Sequence, residues 1–182
     1  MEIPSFIKSP NFRIAVLLII IGVIFRLIPH EANFTPVAAI SLLSGVLLGR
    51  KYALAVPISI MVISDSFLGI YGSIVFTWSA FVAIALFGTF FKNSSFAKRA
   101  LLGSLGASLI FFVISNLGVW ITSGMYSHTL QGLVQCFYMA LPFLRATLMS
   151  DLIYSVTLFG VLMYGIKLLP ILKAGQATYT HL

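Results

Sequence analysis

Four ionisable side chains lie inside or at the ends of long apolar stretches, where a charge is costly and by default suggests a function. They are Arg26, Asp65, Arg145 and Asp151. In one interpretation they pair across helices, Arg26 with Asp65, or Arg145 with either aspartate, and fix how those helices pack. In the other, at least one of them contacts a ligand or takes part in transport.

Polar and aromatic side chains accompany these charges. Thr147, Asp151 and Tyr154 recur at the spacing of one helical face, as do Asn116 and Trp120. The candidate small-molecule-binding residues are His30, Asn33, Asn116, Trp120, Tyr126, Arg145, Asp151 and Tyr154, with Arg26 and Asp65 as a candidate intramembrane charge pair. Anchoring at a membrane interface is the simpler interpretation of individual aromatic residues, Trp78 included.

Composition indicates which elements must position these residues. Of 182 residues, 60% are hydrophobic and 8% are charged, whereas soluble domains carry about 25% charged residues. The sequence therefore predicts an all-α polytopic membrane protein, a single integral membrane domain over residues 1–182. Six transmembrane helices are predicted, at about residues 11–28, 36–49, 52–71, 74–91, 100–122 and 144–169.

The longest connection, residues 123–143, has an amphipathic pattern. Its apolar positions fall on one helical face at Leu130, Leu133, Val134, Phe137 and Leu141. The stretch is too short to span a bilayer, so we expect a short interfacial helix between helices 5 and 6.

Basic residues indicate the orientation. With six helices, one side holds Lys8, Arg13, Arg50, Lys51, Lys92, Lys98, Arg99, Lys167 and Lys173, and the other side holds Arg26 and Arg145. Because cytoplasmic loops are enriched in Lys and Arg, both termini are predicted to be cytoplasmic. All four candidate charges then lie between the midplane and the outer face, which favours a small-molecule pocket open to the outside.

Helix 2 carries small residues at four-residue spacing, Ser41, Gly45 and Gly49. Such a ladder lets another helix approach closely, either within this chain or as a docking face for a partner subunit. Thr35 and Pro36 are expected to start this helix, with Thr35 as the cap.

Several chemistries have no support in the sequence. There is no phosphate-binding Gly-Lys-Ser/Thr loop, no paired-histidine metal motif and no serine in a nucleophile elbow. We therefore expect neither an enzyme, nor a cofactor, nor a resident metal, and the scattered basic residues do not indicate nucleic-acid binding. Cys136 has no disulfide partner and is interpreted as an inert thiol or, less simply, as a single ligand.

Several strings together resemble a known family. They are residues 26–39 (RLIPHEANFTPVAA), residues 116–120 (NLGVW), Met125-Tyr126, Thr129, Gly132-Leu133, Leu141-Pro142-Phe143 and residues 151–154 (DLIY). They resemble bacterial membrane proteins of unknown function, which are similar to the substrate-binding S components of energy-coupling-factor (ECF) vitamin transporters.

The resemblance implies a six-helix fold in the bacterial inner membrane, with a vitamin site on the outer side. That site is formed by helices 4–6 and covered by the loop between helices 1 and 2, which points to residues 30–34, Asn116, Trp120, Tyr126, Arg145 and Asp151. The implied partners are an ECF-type coupling subunit and ATPases. Two features depart from the pattern: helix 1 lacks the Ala-x-x-x-Ala docking motif, and no cysteine lies where some solitary members bind cobalamin.

The leading hypothesis is a membrane protein that binds a small vitamin-like molecule for uptake. A self-contained transporter that uses Asp65 and Asp151 as proton or cation sites is the first alternative. A membrane scaffold without a ligand, in which the charges only pair, is the second.

Overall fold

The computed structural model describes residues 9–165, which fold into six α-helices and contain no β-strand. The helices are α1 (Pro10–Leu27), α2 (Val37–Leu47), α3 (Arg50–Leu68), α4 (Ile74–Gly88), α5 (Gly103–Thr122) and α6 (Leu130–Gly160). A 3₁₀ turn, Thr89–Phe91, extends α4, and π-helical turns at Lys98–Leu102 and Val161–Gly165 precede α5 and follow α6.

The short helix α2 is the centre of the bundle. Every residue from Val37 to Val46 is buried, and α2 packs against α3, α4, α5 and α6. Its sequence is apolar or small on all sides, and a helix of that kind is stable only when it is surrounded. Ser41 and Ser44 can be buried in this helix because the hydroxyl group of each donates a hydrogen bond to a backbone carbonyl of α2 itself.

Backbone-to-backbone contact joins α2 to α4. A Cβ on Gly45 would overlap the carbonyl oxygen of Ala85, and a Cβ on Gly88 would overlap that of Leu42. Ser41 and Gly45 of this ladder therefore pack inside this chain, as the first of the two interpretations expects. Gly49 lies beyond the helix, is exposed and adopts a φ of 80°, which favours glycine.

The prediction of a separate interfacial helix before helix 6 is wrong. The chain is helical without a break from Leu130 to Gly160 and includes Pro142. The helix begins at Leu130, because the Thr129 hydroxyl accepts a hydrogen bond from the Gly132 amide. Pro142 is tolerated at an exposed position of this helix.

The start of α2 also differs from the prediction. Pro36, rather than Thr35, occupies the cap position, and no side chain caps the helix.

Some of the predictions concern residues outside the described range. These are three of the basic residues that contribute to the predicted orientation, Lys8, Lys167 and Lys173, and the predicted end of helix 6 at residue 169.

Five helical segments of the described chain are long and apolar enough to cross a membrane, and α2 is the shorter exception. Their outward faces are apolar: Leu17, Ile20 and Ile24 on α1 are each about half exposed. Leu105, Leu109 and Val113 form a similar row on α5. The core lies around α2, and the exterior of the bundle is nearly as apolar as the core.

The contact between α2 and α4 makes a testable prediction. Gly45→Ala should lower the free energy of unfolding by about 3 kcal/mol, because the new methyl group meets rigid backbone. Gly160→Ala is the matched control: nothing lies within 4 Å of its added Cβ, so a gain of about 0.5–1 kcal/mol from helix propensity is expected. Thermal unfolding of the purified variants measures both, and equal effects would contradict the contact.

Candidate functional site

An open cavity of about 520 Å³ lies at one end of the bundle. Its lining comes from the C-terminal ends of α1, α3 and α5, the N-terminal parts of α2, α4 and α6, and the three loops between these ends. Since α2 has only 11 residues, it is about 16 Å long. The longer helices extend past its start and enclose the space above it.

Arg26 and Asp65 form an ion pair beside the cavity, between α1 and α3. The second carboxylate oxygen of Asp65 accepts a hydrogen bond of 2.7 Å from Nε1 of Trp78 on α4. Both oxygens of Asp65 are therefore occupied, and three helices are joined at one point. Trp78 is held inside this network, which is a different role from the interfacial anchoring predicted for it.

Asp151 is the second buried carboxylate, 2% exposed and part of the cavity wall. Its Oδ2 accepts a hydrogen bond of 2.6 Å from the Ser108 hydroxyl on α5. Among residues 9–165 the one ion pair is that of Arg26 with Asp65, so Asp151 has no cationic partner within the described chain. A buried carboxylate in this state is a candidate functional group.

Asp151 lies at the floor of the cavity. The cavity-lining residues of α6 run from Cys136 to Asp151, a distance of about 22 Å along the helix. The Cys136 thiol, also buried, donates to the Asn116 carbonyl at 3.5 Å and so links α6 to α5. This contact agrees with the interpretation of Cys136 as a structural thiol.

The loop between α1 and α2 folds over one side of the cavity. The Ser150 hydroxyl of α6 donates to the Thr35 carbonyl at 3.2 Å, and the Tyr154 ring lies edge-on to those of Phe25 and Phe34. Asn33 adopts a φ of 62°, a conformation that asparagine tolerates better than most residues. These contacts fix the loop against α1 and α6.

Five of the eight predicted binding residues line the cavity: His30, Asn33, Asn116, Tyr126 and Asp151. The other three, Trp120, Arg145 and Tyr154, lie outside its lining.

Each of these three has a different environment. Arg145 is exposed, because it lies six residues before Asp151 and points to another side of α6. Trp120 donates to the Ser127 carbonyl at 2.9 Å and shapes the loop between α5 and α6. Tyr154 lies nearly one turn beyond Asp151 and holds the first loop.

The chain matches a known family to which no function is assigned. Residues 7–170 match the model of a family of unknown function, DUF6580. The chain belongs to this family. No curated protein and no solved structure matches the chain. The match includes every residue that lines the cavity of this DUF6580 protein.

The sequence predicted Tyr126 but not the phenylalanines that line the cavity. Phe81 and Phe111 lie with ring centroids 5.1 Å apart, and Phe112 and Phe143 are nearby parts of the wall. In an apolar sequence with 16 phenylalanines, no pattern distinguishes a ring that lines a cavity from one that faces outward. Ser108 was also missed, although its position two helical turns before Asn116 is a usable signal.

No metal-binding group of three or more His, Cys, Asp or Glu side chains occurs in residues 9–165. The polar groups at the cavity include one uncompensated carboxylate, several hydroxyls and the amides of Asn33 and Asn116. These groups can accept hydrogen bonds from a bound molecule, and the carboxylate can neutralise a positive charge on it.

The ion pair of Arg26 and Asp65 is testable by a double-mutant cycle. Asp65→Ala should lower the free energy of unfolding by about 3–5 kcal/mol, because it leaves Arg26 without its counter-charge. The double variant Arg26→Ala/Asp65→Ala should cost less than the sum of the two single changes, by about 0.5–3 kcal/mol. Chemical unfolding of the four proteins measures this coupling. Glu31→Ala, an exposed acid outside the cavity lining, is the control, and strict additivity would contradict the pair.

Proposed function

We propose that this protein is an integral membrane protein that binds a small vitamin-like molecule in its cavity, on the outer side of a bacterial cytoplasmic membrane, for uptake. The observation that carries the proposal is the cavity itself. Its volume of about 520 Å³ lies in the range of small-molecule sites, about 300–1,000 Å³. An apolar wall with a few convergent polar groups is also typical of such sites.

The exterior of the bundle supports the membrane part of the proposal. Monomeric soluble proteins rarely expose large contiguous apolar patches, yet α1 and α5 each expose rows of Leu, Ile and Val. Of the 18 residues in the apolar window of α1, 17% are buried. Lipid is the solvent that such surfaces favour.

The positions of basic residues support an outward-facing cavity. Arg50 and Lys51 follow α2, and Lys92, Lys98 and Arg99 lie between α4 and α5. These segments join the helix ends opposite to those that line the cavity. Under the positive-inside rule, the basic end is cytoplasmic and the cavity faces outward.

The resemblance to ECF S components supports a role as the substrate-binding part of a transporter. In that scheme a coupling subunit and ATPases supply the energy, which agrees with the lack of a phosphate-binding loop in this sequence. Because α2 is surrounded within its own chain, the docking surface for a coupling subunit lies on another helix.

The binding proposal predicts a co-purified ligand. Native mass spectrometry of the detergent-purified protein should detect a stoichiometric small-molecule adduct, which Ala140→Phe should remove because Ala140 lines the cavity. Ala146→Phe, on the same helix but outside the lining, should retain the adduct. An adduct that survives both changes would locate the ligand elsewhere, and no adduct in any of the three proteins would count against binding.

A self-contained, ion-coupled transporter is the second candidate function. The observation that favours it is Asp151, a buried carboxylate without a cationic partner among the described residues. Asp65 is a weaker candidate for such a site, because Arg26 and Trp78 occupy both of its oxygens.

The two candidate functions predict different results for liposomes that contain this protein alone. If the protein only binds its ligand, the liposomes should take up one equivalent of ligand per protein. No sustained flux should follow when a proton or sodium gradient is applied. Sustained gradient-dependent flux that Asp151→Asn abolishes would instead support the ion-coupled transporter.

A further inference from the structure

The charges around the cavity indicate which class of molecule it binds. Three side chains of the basic and acidic residue types line it: Arg26, His30 and Asp151. Arg26 is neutralised by Asp65, with which it forms an ion pair. His30 is exposed on the loop at the rim. Asp151 is therefore the one uncompensated charge of the inner cavity.

The surroundings of Asp151 leave its carboxylate poorly solvated. The residue is 2% exposed, and the Ser108 hydroxyl supplies a single hydrogen bond to one of its two oxygens. A buried ionised carboxylate is stable only when it is paired or extensively hydrogen-bonded. The Oδ1 oxygen of Asp151 has no described hydrogen-bond partner, and Asp151 itself belongs to the cavity wall.

Aromatic rings surround the same space. Six aromatic side chains line the cavity: Tyr71, Phe81, Phe111, Phe112, Tyr126 and Phe143. Phe111 follows Ser108, the partner of Asp151, by three residues on α5 and packs against Phe81 with ring centroids 5.1 Å apart. The faces of aromatic rings attract cations within about 6 Å, and this attraction is stronger where water is excluded.

We infer that the cavity binds an organic cation, a small molecule with a protonated amine or a permanently charged nitrogen, and that Asp151 is its counter-ion at the floor of the site. This inference rests on the proposed function and narrows it to one substrate class. An anionic ligand would face Asp151 with no unpaired cation among the described residues that line the cavity. A neutral ligand would leave the Asp151 carboxyl either ionised without a counter-charge or protonated, so a cation is the ligand that uses its charge. A cation next to Asp151 would satisfy the carboxylate, in a cavity whose wall also carries aromatic rings.

Two molecules of equal shape but different charge test whether the cavity selects a ligand by its charge or by its shape. Phenyltrimethylammonium and tert-butylbenzene differ by a quaternary nitrogen in place of a carbon. Their binding to the purified protein in lipid nanodiscs, measured by ligand-observed NMR against empty nanodiscs, should give a Kd at least tenfold lower for the cation. Asp151→Asn should weaken binding of the cation at least tenfold and change binding of the neutral molecule less than twofold.

Two further variants control for folding and for general charge effects. Asp151→Glu keeps the charge and should bind the cation more tightly than Asp151→Asn does. Glu31→Gln removes one negative charge from the exposed loop, outside the cavity lining, and should leave both Kd values unchanged. Equal affinity for the two molecules, no binding of the cation, or an Asp151→Asn protein that binds it as wild type does would each overturn the inference.

The failure of this inference can be told apart from the failure of the proposed function. If tert-butylbenzene binds more tightly than phenyltrimethylammonium, and Ala140→Phe blocks its binding, the cavity is a binding site for a different class of ligand. The same conclusion follows if the co-purified adduct has no cationic nitrogen. If no molecule binds in the cavity and no adduct is present, both proposals fail together.

Discussion

The length of α2 is the constraint on which the other features of this structure depend. Eleven residues give a helix of about 16 Å, roughly half the thickness of a bilayer hydrocarbon core. Because the surrounding helices are longer, the bundle is filled at one end by α2 and is hollow at the other. The glycine contacts with α4 fix α2 in this position, so the cavity results from backbone geometry as well as from side-chain choice.

The two buried aspartates, Asp65 and Asp151, differ in how their carboxylates are compensated. Asp65 is occupied by a guanidinium and an indole from two other helices, and it connects α1, α3 and α4. Asp151 contacts one hydroxyl and otherwise faces the cavity. An apolar protein can keep a buried charge when the charge is compensated internally. The two carboxylates therefore differ in compensation: both oxygens of Asp65 have partners inside the protein, whereas Asp151 has one hydroxyl partner and no cation among the described residues.

The sequence predicted the number of helices and the approximate bounds of the first five, because apolar stretches of defined length leave few alternatives. It also indicated that Arg26 and Asp65 could pair, but it could not exclude Arg145, since the rotation of one helix against another is set by packing. The continuous α6 was missed because hydropathy separates an amphipathic stretch from an apolar one although the backbone runs through both. The phenylalanines of the cavity wall were missed because helices that are apolar on all sides carry no periodic signal.

If the bundle spans a membrane, as proposed above, the continuous α6 is longer than the hydrocarbon core. Its 31 residues extend about 46 Å, whereas a hydrocarbon core about 30 Å thick accommodates about 39 Å of helix at a tilt of about 40°. In that arrangement, between about one and three turns would project out of the core. With the Gly160 end of α6 at the opposite interface, these would be the turns near Leu130. The rim of the cavity would then stand among lipid headgroups, so a molecule that concentrates at the membrane surface would reach the mouth at a higher local concentration than in bulk water.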